Sequence, residues 1–191
     1  LFHLPLNQVY AAPDPKPEGG SIYVNGVDLL NEDEENYPVG ISYRYVGSVN
    51  IITVSGAAIS VGHPNPEGGK YAGIFANGVG DVEIELEGSS SIEISDMANP
   101  APEADPPMLN GVGIYVGGGS LGFTGTGSLT INSSGRSIHM DSYGDPSKSV
   151  TFIGSVTVTT TNMIFTEGGD GDRPNVYIND TADVTCHGIE C

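Results

Sequence analysis

Two short stretches decide the fold, Ala72-Gly73-Ile74-Phe75 and Val112-Gly113-Ile114-Tyr115. Each opens a unit that continues through a Gly-rich gap into short alternating runs such as Val82-Glu83-Ile84-Glu85-Leu86. The same opening stands upstream as Val39-Gly40-Ile41. Because self-similarity along a chain is the signature of a repeat architecture, these stretches predict stacked copies of one supersecondary unit.

Each unit contains three runs that read apolar, variable, apolar, which is the pattern of a half-buried strand. The opening runs place an apolar residue at Ile41, Ile74, Ile114, Ile138 and Ile164. The second runs begin at Val49, Val82, Leu121, Val150 and Val176. The third runs begin at Ile59, Ile92, Leu129, Val156 and Val184. Helical spacing is nowhere sustained, so we expect an all-β chain.

Strands this short cannot bury their apolar faces alone, whereas a coil of three strands stacked on like coils encloses a continuous core. The sequence therefore predicts a parallel β-helix (β-solenoid) of about five coils, with three short strands per coil and a ladder of inward isoleucines. The Pro-, Gly-, Asp- and Asn-rich insertions at 62–71, 96–110, 141–149 and 166–175 fall at its corners. An antiparallel sandwich also fits short strands between turn signals and is the competing fold.

Composition restricts the partners. The 191-residue chain carries six basic and 24 acidic side chains, for a formal net charge of −18. Nucleic-acid phosphates and anionic membranes repel such a polyanion, so neither is an expected partner. No run approaches the ~20 apolar residues of a membrane-spanning helix, so membrane insertion is not expected either.

The two ends differ from the repeats. Residues 1–20 begin with an apolar run, continue through Val9-Tyr10-Ala11 into a Pro-rich stretch, and are interpreted as a signal-peptide remnant and linker. An apolar capping strand is the alternative for residues 1–11. Residues 21–191 form the predicted β-solenoid. Gly188-Ile189 opens a further unit, which predicts that the natural protein continues into more repeats or domains. For Cys186 and Cys191, packed thiols are the simpler interpretation, against a disulfide or a metal pair.

Residues 21–189 resemble tandem repeats of large secreted surface proteins of gut Firmicutes. The stretches that carry the resemblance are 72–78, 81–88 and 119–131, which are similar to the family's "AGIYA-DG-DLTIxLEG" and "GSLTITGSGSLTV" units. Ile22-Tyr23-Val24-Asn25-Gly26 looks like the strand that introduces such arrays. The resemblance implies a secreted or cell-surface, adhesin-like or carbohydrate-binding module, and it supplies no catalytic residues.

One outward position of the opening strands is aromatic in successive units, at Phe75, Tyr115, His139 and Phe165. Stacked coils bring aligned side chains to a spacing of about 4.8 Å, so these rings should form a column. Such a column either packs structurally or, where it is solvent-exposed, offers a flat platform to sugar rings of a polysaccharide or host glycan. These four residues are the predicted ligand-binding set, and an exposed face is the condition for it.

Catalysis has less support. Glu83, Glu85 and Glu87 alternate on one outward strand face, at a separation of roughly 7 Å that suits an inverting glycosidase, but such a row is also typical of a solvated strand. Asp170 and Asp172, in a Gly-rich turn, are the candidate Ca²⁺ ligands, although a plain turn explains them too. No other cofactor is expected. The predicted function is a non-catalytic glycan-binding or stalk module, and the alternative is a polysaccharide lyase or glycoside hydrolase.

Overall fold

The computed structural model describes residue 17 and residues 19–65, 70–95, 97–98, 108–109, 111–168 and 173–191. Their strands form three sheets along the sides of a parallel β-solenoid, which confirms the predicted fold, and a separate two-stranded sheet. The opening, second and third strands of successive coils lie in sheets A, B and C, respectively. Residues 1–16, including the predicted signal-peptide remnant, lie outside the described residues.

Sheet A has the order β2-β1-β7-β12-β15-β18-β21, with β6 also paired to β7. Its strands are β1 (Ser21–Val24), β2 (Val27–Asp28), β6 (His63–Asn65), β7 (Lys70–Asn77), β12 (Gly111–Gly117), β15 (Ile138–Asp141), β18 (Ile164–Glu167) and β21 (Ile189–Glu190). The strands from β7 to β21 are parallel, whereas β1 and β6 pair with β7 in the antiparallel sense.

Sheet B has the order β19-β16-β13-β8-β4-β3, and sheet C the order β20-β17-β14-β9-β5. The strands of sheet B are β3 (Ile41–Val46), β4 (Val49–Ser55), β8 (Val82–Glu87), β13 (Leu121–Gly125), β16 (Ser149–Phe152) and β19 (Asn175–Ile178). Those of sheet C are β5 (Ala58–Ile59), β9 (Ser89–Ile94), β14 (Ser128–Ser133), β17 (Thr157–Thr160) and β20 (Asp183–Thr185). The separate sheet pairs β10 (Met97–Ala98) with β11 (Met108–Leu109).

The core is a set of side-chain ladders between the three sheets. Ile74, Ile114, Ile138 and Ile164 are in register and fully buried. In sheet B the rings of Phe123 and Phe152 stack with their centroids 4.7 Å apart. Full burial of such a side chain contributes about 1.5–3 kcal/mol, so stacked coils supply the core that one coil lacks.

The first layer differs from the prediction. Ile41 does not extend the isoleucine ladder, because β3 folds back as an antiparallel hairpin on β4 and pairs Ile41 with Val54. The position in sheet A that was predicted for this run is taken by β1, in which Val24 faces Ile74. The connection from β1 to β3 contains β2, a turn and the 3-10 helix Glu34–Asn36, and Leu29 within this connection is fully buried. Antiparallel strands thus flank the parallel stack at its first layer.

Four predicted registers also need correction. In sheet B, Asn50 rather than Val49 lies opposite Val82, and Asn50 points inward. In sheet C, Ile92 pairs with Ile131, Leu129 pairs with Val158, and Val184 also pairs with Val158 rather than with Val156. A slip of two residues keeps the same face inward, but the slip of one at Asn50 brings an amide into the core. Tyr43 satisfies this amide by donating from its hydroxyl to Asn50 Oδ1 at 2.9 Å.

Among the described residues, no helix has the length and apolar character needed to cross a membrane.

Candidate functional site

The predicted aromatic column exists as an aligned set on sheet A. Phe75 pairs in register with Tyr115, Tyr115 with His139, and His139 with Phe165. Phe75 and Tyr115 stack with centroids 5.3 Å apart, and each of the next two neighbouring pairs meets edge to face at 5.2 Å. The column begins with Tyr23 of β1, which the sequence analysis did not assign to it.

The rings are buried, so they do not form the exposed face on which the predicted platform depends. The exposed fractions of Phe75, Tyr115, His139 and Phe165 are 3%, 5%, 1% and 7%. Tyr115 packs with Ala72 and Val112 of its own sheet. Burial is the main cause that raises the pKa of Tyr115, and a hydrogen bond with Tyr143 raises it further. This packing is what the structural interpretation of the column predicts. Ligand binding by these four residues remains an untested prediction.

Additional side chains lie against both ends of the column. His63 stacks on Tyr23 with the ring centroids 3.5 Å apart, and burial lowers the pKa of His63. At the other end, the guanidinium carbon of Arg136 lies 3.3 Å from the centroid of the Phe165 ring. That of Arg173 lies 5.5 Å from the same centroid. Guanidinium groups on an aromatic face are attracted by the ring quadrupole, so two of the six basic residues converge on one ring.

A chain of polar contacts connects this end to the next coil. His139 Nε2 lies 3.0 Å from Glu167 Oε2, and Arg136 Nη1 lies 3.2 and 3.3 Å from the two ring nitrogens of His139. Because a guanidinium can only donate, one imidazole nitrogen must accept from it. The consistent assignment has the proton on Nε2, donated to Glu167, and Nδ1 accepting from Arg136.

A cavity of about 430 Å³ opens beside these polar contacts, at the corner between sheet C and sheet A. Five of its lining residues come from the short connections 134–137 and 161–163 of two successive coils, and the other two come from β12 and β18. The lining residues are Val112, Ser134, Gly135, Arg136, Asn162, Met163 and Glu167. Burial lowers the pKa of Arg136, because desolvation disfavours its charged form.

A second cavity, of about 570 Å³, lies along the same corner and shares Ser134 with the first. Its lining carries hydroxyl, amide and carboxylate groups together with apolar surface, including the side chain of Ile94. The lining residues are Ser60, Glu93, Ile94, Ser95, Asn132, Ser133, Ser134 and Thr161. We call the two cavities together the corner groove.

The lengths of the connections between sheet C and sheet A explain where the groove lies. The chain needs many residues to pass from β5 to β6 and β7 and from β9 to β12, and these passages include the predicted insertions at 62–71 and 96–110. The next two passages, 134–137 and 161–163, are short. The lining of the first cavity includes residues from both of these short passages.

The glutamate row on β8 has partners of a structural kind. Arg44 Nη2 lies 2.9 Å from Glu85 Oε2, and Thr53 donates to the same oxygen at 3.0 Å. The hydrogen bond from Arg44 is the largest cause that lowers the pKa of Glu85. Glu83 accepts a hydrogen bond from Thr124 at 2.9 Å. The general acid of an inverting glycosidase needs a raised pKa. The environment of Glu85 lowers its pKa instead, so Glu85 is unsuited to that role.

The metal hypotheses find no support in the described residues. Asp170 and Asp172, the candidate Ca²⁺ ligands, lie outside them. Within the described ranges, no three His, Cys, Asp or Glu side chains are grouped so that they could hold a metal ion. Cys186 and Cys191 are free thiols, and Cys186 packs partly against the core.

Arg136 and Glu167 were not predicted from the sequence as site residues. The two lie 31 positions apart and meet only because successive coils stack, and neither belongs to a recognisable motif. No protein-family model, curated protein or solved structure significantly matches this chain.

Proposed function

We propose that the chain is a non-catalytic module of a secreted or cell-surface protein and that it binds a glycan in the corner groove. The observation that carries the proposal is the lining of this groove, in which hydroxyl, amide and charged groups of successive coils line adjoining cavities. Sugars present hydroxyl groups as both donors and acceptors, and such a lining can pair with both. The volumes of the two cavities fall in the range typical of ligand sites.

The proposal differs from the sequence expectation in where the ligand binds. The aromatic column is buried and therefore offers no flat surface, whereas the groove is open to solvent along one corner. Because the aromatic column is buried, we assign it a role in stabilising the fold. Exposure of polar groups favours the groove as the binding surface.

A binding role suits the described carboxylates better than hydrolysis does. Glu85 is held ionised by Arg44, and His139, at 1% exposure, lies too deep to contact a substrate. A purely structural stalk would bind no glycan, whereas an enzyme would bind a glycan and release products. Binding without turnover, binding with turnover and no binding are therefore separable outcomes.

The test is a panel of plant and animal glycans, with retention of the domain and release of products measured together. We expect retention on a subset of glycans and no new reducing ends or unsaturated products. Asn132→Ala should weaken that retention, because Asn132 lines the groove. Thr130→Ala is the matched control, since Thr130 lies two residues earlier on β14, faces outward and does not line it. Product release, or equal loss with both variants, would contradict the proposal.

A further inference from the structure

The end of the groove that contains Arg136 has a charge pattern of its own. Arg136 is about one-third exposed, and its ion pair with a described carboxylate is long, at 3.8 Å to Glu167 Oε2. That same oxygen accepts the closer contact of His139 at 3.0 Å. Arg173, by contrast, has a close pair with Glu190 at 2.8 Å. Of the two guanidinium groups on Phe165, Arg136 is thus the one without a close carboxylate among the described residues.

The position of Arg136 is fixed before any ligand arrives. The Phe165 ring lies under its guanidinium carbon, and His139 accepts from Nη1, so two contacts from different coils restrict its rotation. A guanidinium offers five N–H donors in a planar fork that matches a carboxylate. A preorganised donor lowers the entropy cost of binding.

The neighbouring groups also present donors. Ser134 Oγ accepts a hydrogen bond from the backbone N–H of Gly111 at 3.0 Å, so the hydroxyl proton of Ser134 is left to donate elsewhere. Ser134 and Arg136 line the same cavity of about 430 Å³. A ligand group that only accepts hydrogen bonds and carries negative charge fits this pair of donors.

We propose, resting on the proposed glycan-binding function, that this cavity binds the carboxylate of an acidic sugar, with Arg136 as its ion-pair partner and Ser134 as a further donor. The hydroxyl groups of the same sugar lie toward Glu167 and Asn162. This assigns a chemical class of ligand to one end of the groove.

The net charge of the whole chain further restricts the class of ligand that we expect in this cavity. At −18, the protein repels any dense polyanion, and only at Arg136 does the groove lining supply a positive side chain among the described residues. A glycan with one acidic sugar on an otherwise neutral chain keeps the local attraction and adds little repulsion. We therefore expect such a glycan to bind more tightly than a polymer in which every residue is acidic.

The test is calorimetric titration of the full chain with sialyllactose, lactose and trigalacturonate. Sialyllactose and lactose differ by one carboxylate-bearing sugar, and trigalacturonate supplies the dense charge. We expect sialyllactose to bind at least about tenfold more tightly than lactose and more tightly than trigalacturonate. Equal affinity for lactose and sialyllactose, or no binding of sialyllactose, would overturn the inference.

Matched variants locate the interaction. Arg136→Gln should weaken sialyllactose binding by roughly 10- to 100-fold and reduce the preference for sialyllactose over lactose by a similar factor. Arg173→Gln is the control, because Arg173 contacts the same ring but does not line the cavity. Should Arg136→Gln fold poorly, Ser134→Ala replaces it, with a smaller loss expected. Unchanged affinity in both groove variants would overturn the assignment. Binding of neutral glycans alone would overturn this inference but leave the proposed function standing, whereas binding of none would contradict the proposed function.

Discussion

Tyr115 shows how one residue can be placed correctly by sequence while its exposure to solvent is not predicted. It was predicted to align with Phe75 and His139, and the register confirms this. Alternation along a strand predicts which side of the sheet a residue occupies. It does not predict whether side chains from elsewhere cover that side, and the column is buried.

This burial gives the first prediction. Tyr115→Ala should lower the free energy of unfolding by about 3–5 kcal/mol, because it removes a ring that contacts neighbours on both sides in the column. Tyr177→Ala is the control, since Tyr177 is 48% exposed on sheet B and should cost about 1 kcal/mol or less. Thermal and urea unfolding measure both. Similar small losses for the two variants would show that the column is not a packed structure.

The Arg44–Glu85 pair gives a prediction about pH. The folded-state pKa of Glu85 is lowered, so its contribution to stability is present above the unfolded value of about 4.3 and is lost as pH falls through the folded value. The two side chains are 45% and 30% exposed, which limits the contribution to about 0.2–1 kcal/mol. Glu85→Gln should therefore be slightly less stable than the native chain at pH 7 and should match it in strong acid.

The control for this prediction is Glu87→Gln, on the same strand and exposed to solvent. Urea unfolding of the three proteins across the acid range would measure the difference. A gap between the native chain and Glu85→Gln that is constant with pH would contradict the ionised pair as its cause.

At the scale of the element, the Gly-Ile opening has a steric cause. A methyl group at Gly113 would lie 2.3 Å from Ile131 Cγ2 of sheet C and 2.5 Å from the carbonyl oxygen of Ser137. A methyl group at Gly73 would lie 2.8 Å from Ile92 Cγ2. The opening strand passes so close to the third sheet that there is no room for a side chain. The repeated glycine therefore marks this close approach.

Gly113→Ala should accordingly destabilise the protein by about 1–3 kcal/mol, as overpacking does in a filled core. Gly188 stands in the same Gly-Ile motif, but a methyl group there would have no atom within 4 Å. Gly188→Ala should leave the free energy of unfolding within about 0.5 kcal/mol of the native value. Equal effects of the two substitutions in urea unfolding would contradict the close approach.

The elements also show where prediction from the sequence succeeds and where it fails. The strands of the three main sheets from β7 onward were predictable, because each carries the apolar alternation of the repeat, whereas β10 and β11 lie within the predicted insertion at 96–110. The direction of β3 was not, since Val39-Gly40-Ile41 carries the same pattern as the true openings while Val39 is 91% exposed. An alternating run specifies two faces but not whether its neighbour is parallel or antiparallel.

The inward Asn50 was unpredictable for a related reason. Its amide is acceptable in the core only because Tyr43, on the strand that folds back, and the carbonyl groups of Val79 and Asp81 satisfy it. The Arg136, His139 and Glu167 cluster was missed because its members belong to two coils. Contacts between coils depend on stacking register, which the sequence defines only to within a slip of two residues.

At the scale of the whole molecule, the residues that stabilise the fold and those of the proposed binding surface occupy different parts of the stacked coils. The ladders inside and the buried column on sheet A provide stability. The corner between sheets C and A, where the connections of successive coils differ in length, contains the groove that we propose as the binding surface. Because each coil contributes to the groove through its connection, changes in the lengths of the connections would alter the surface without altering the core.

The most direct measurement is amide hydrogen exchange of the full chain with and without saturating sialyllactose. Bound ligand should slow exchange in residues 132–136 and 161–163, which line the groove, and leave residues 83–87 on sheet B unchanged. Slower exchange confined to residues 83–87, or no protection at the corner when the ligand is bound, would contradict the account.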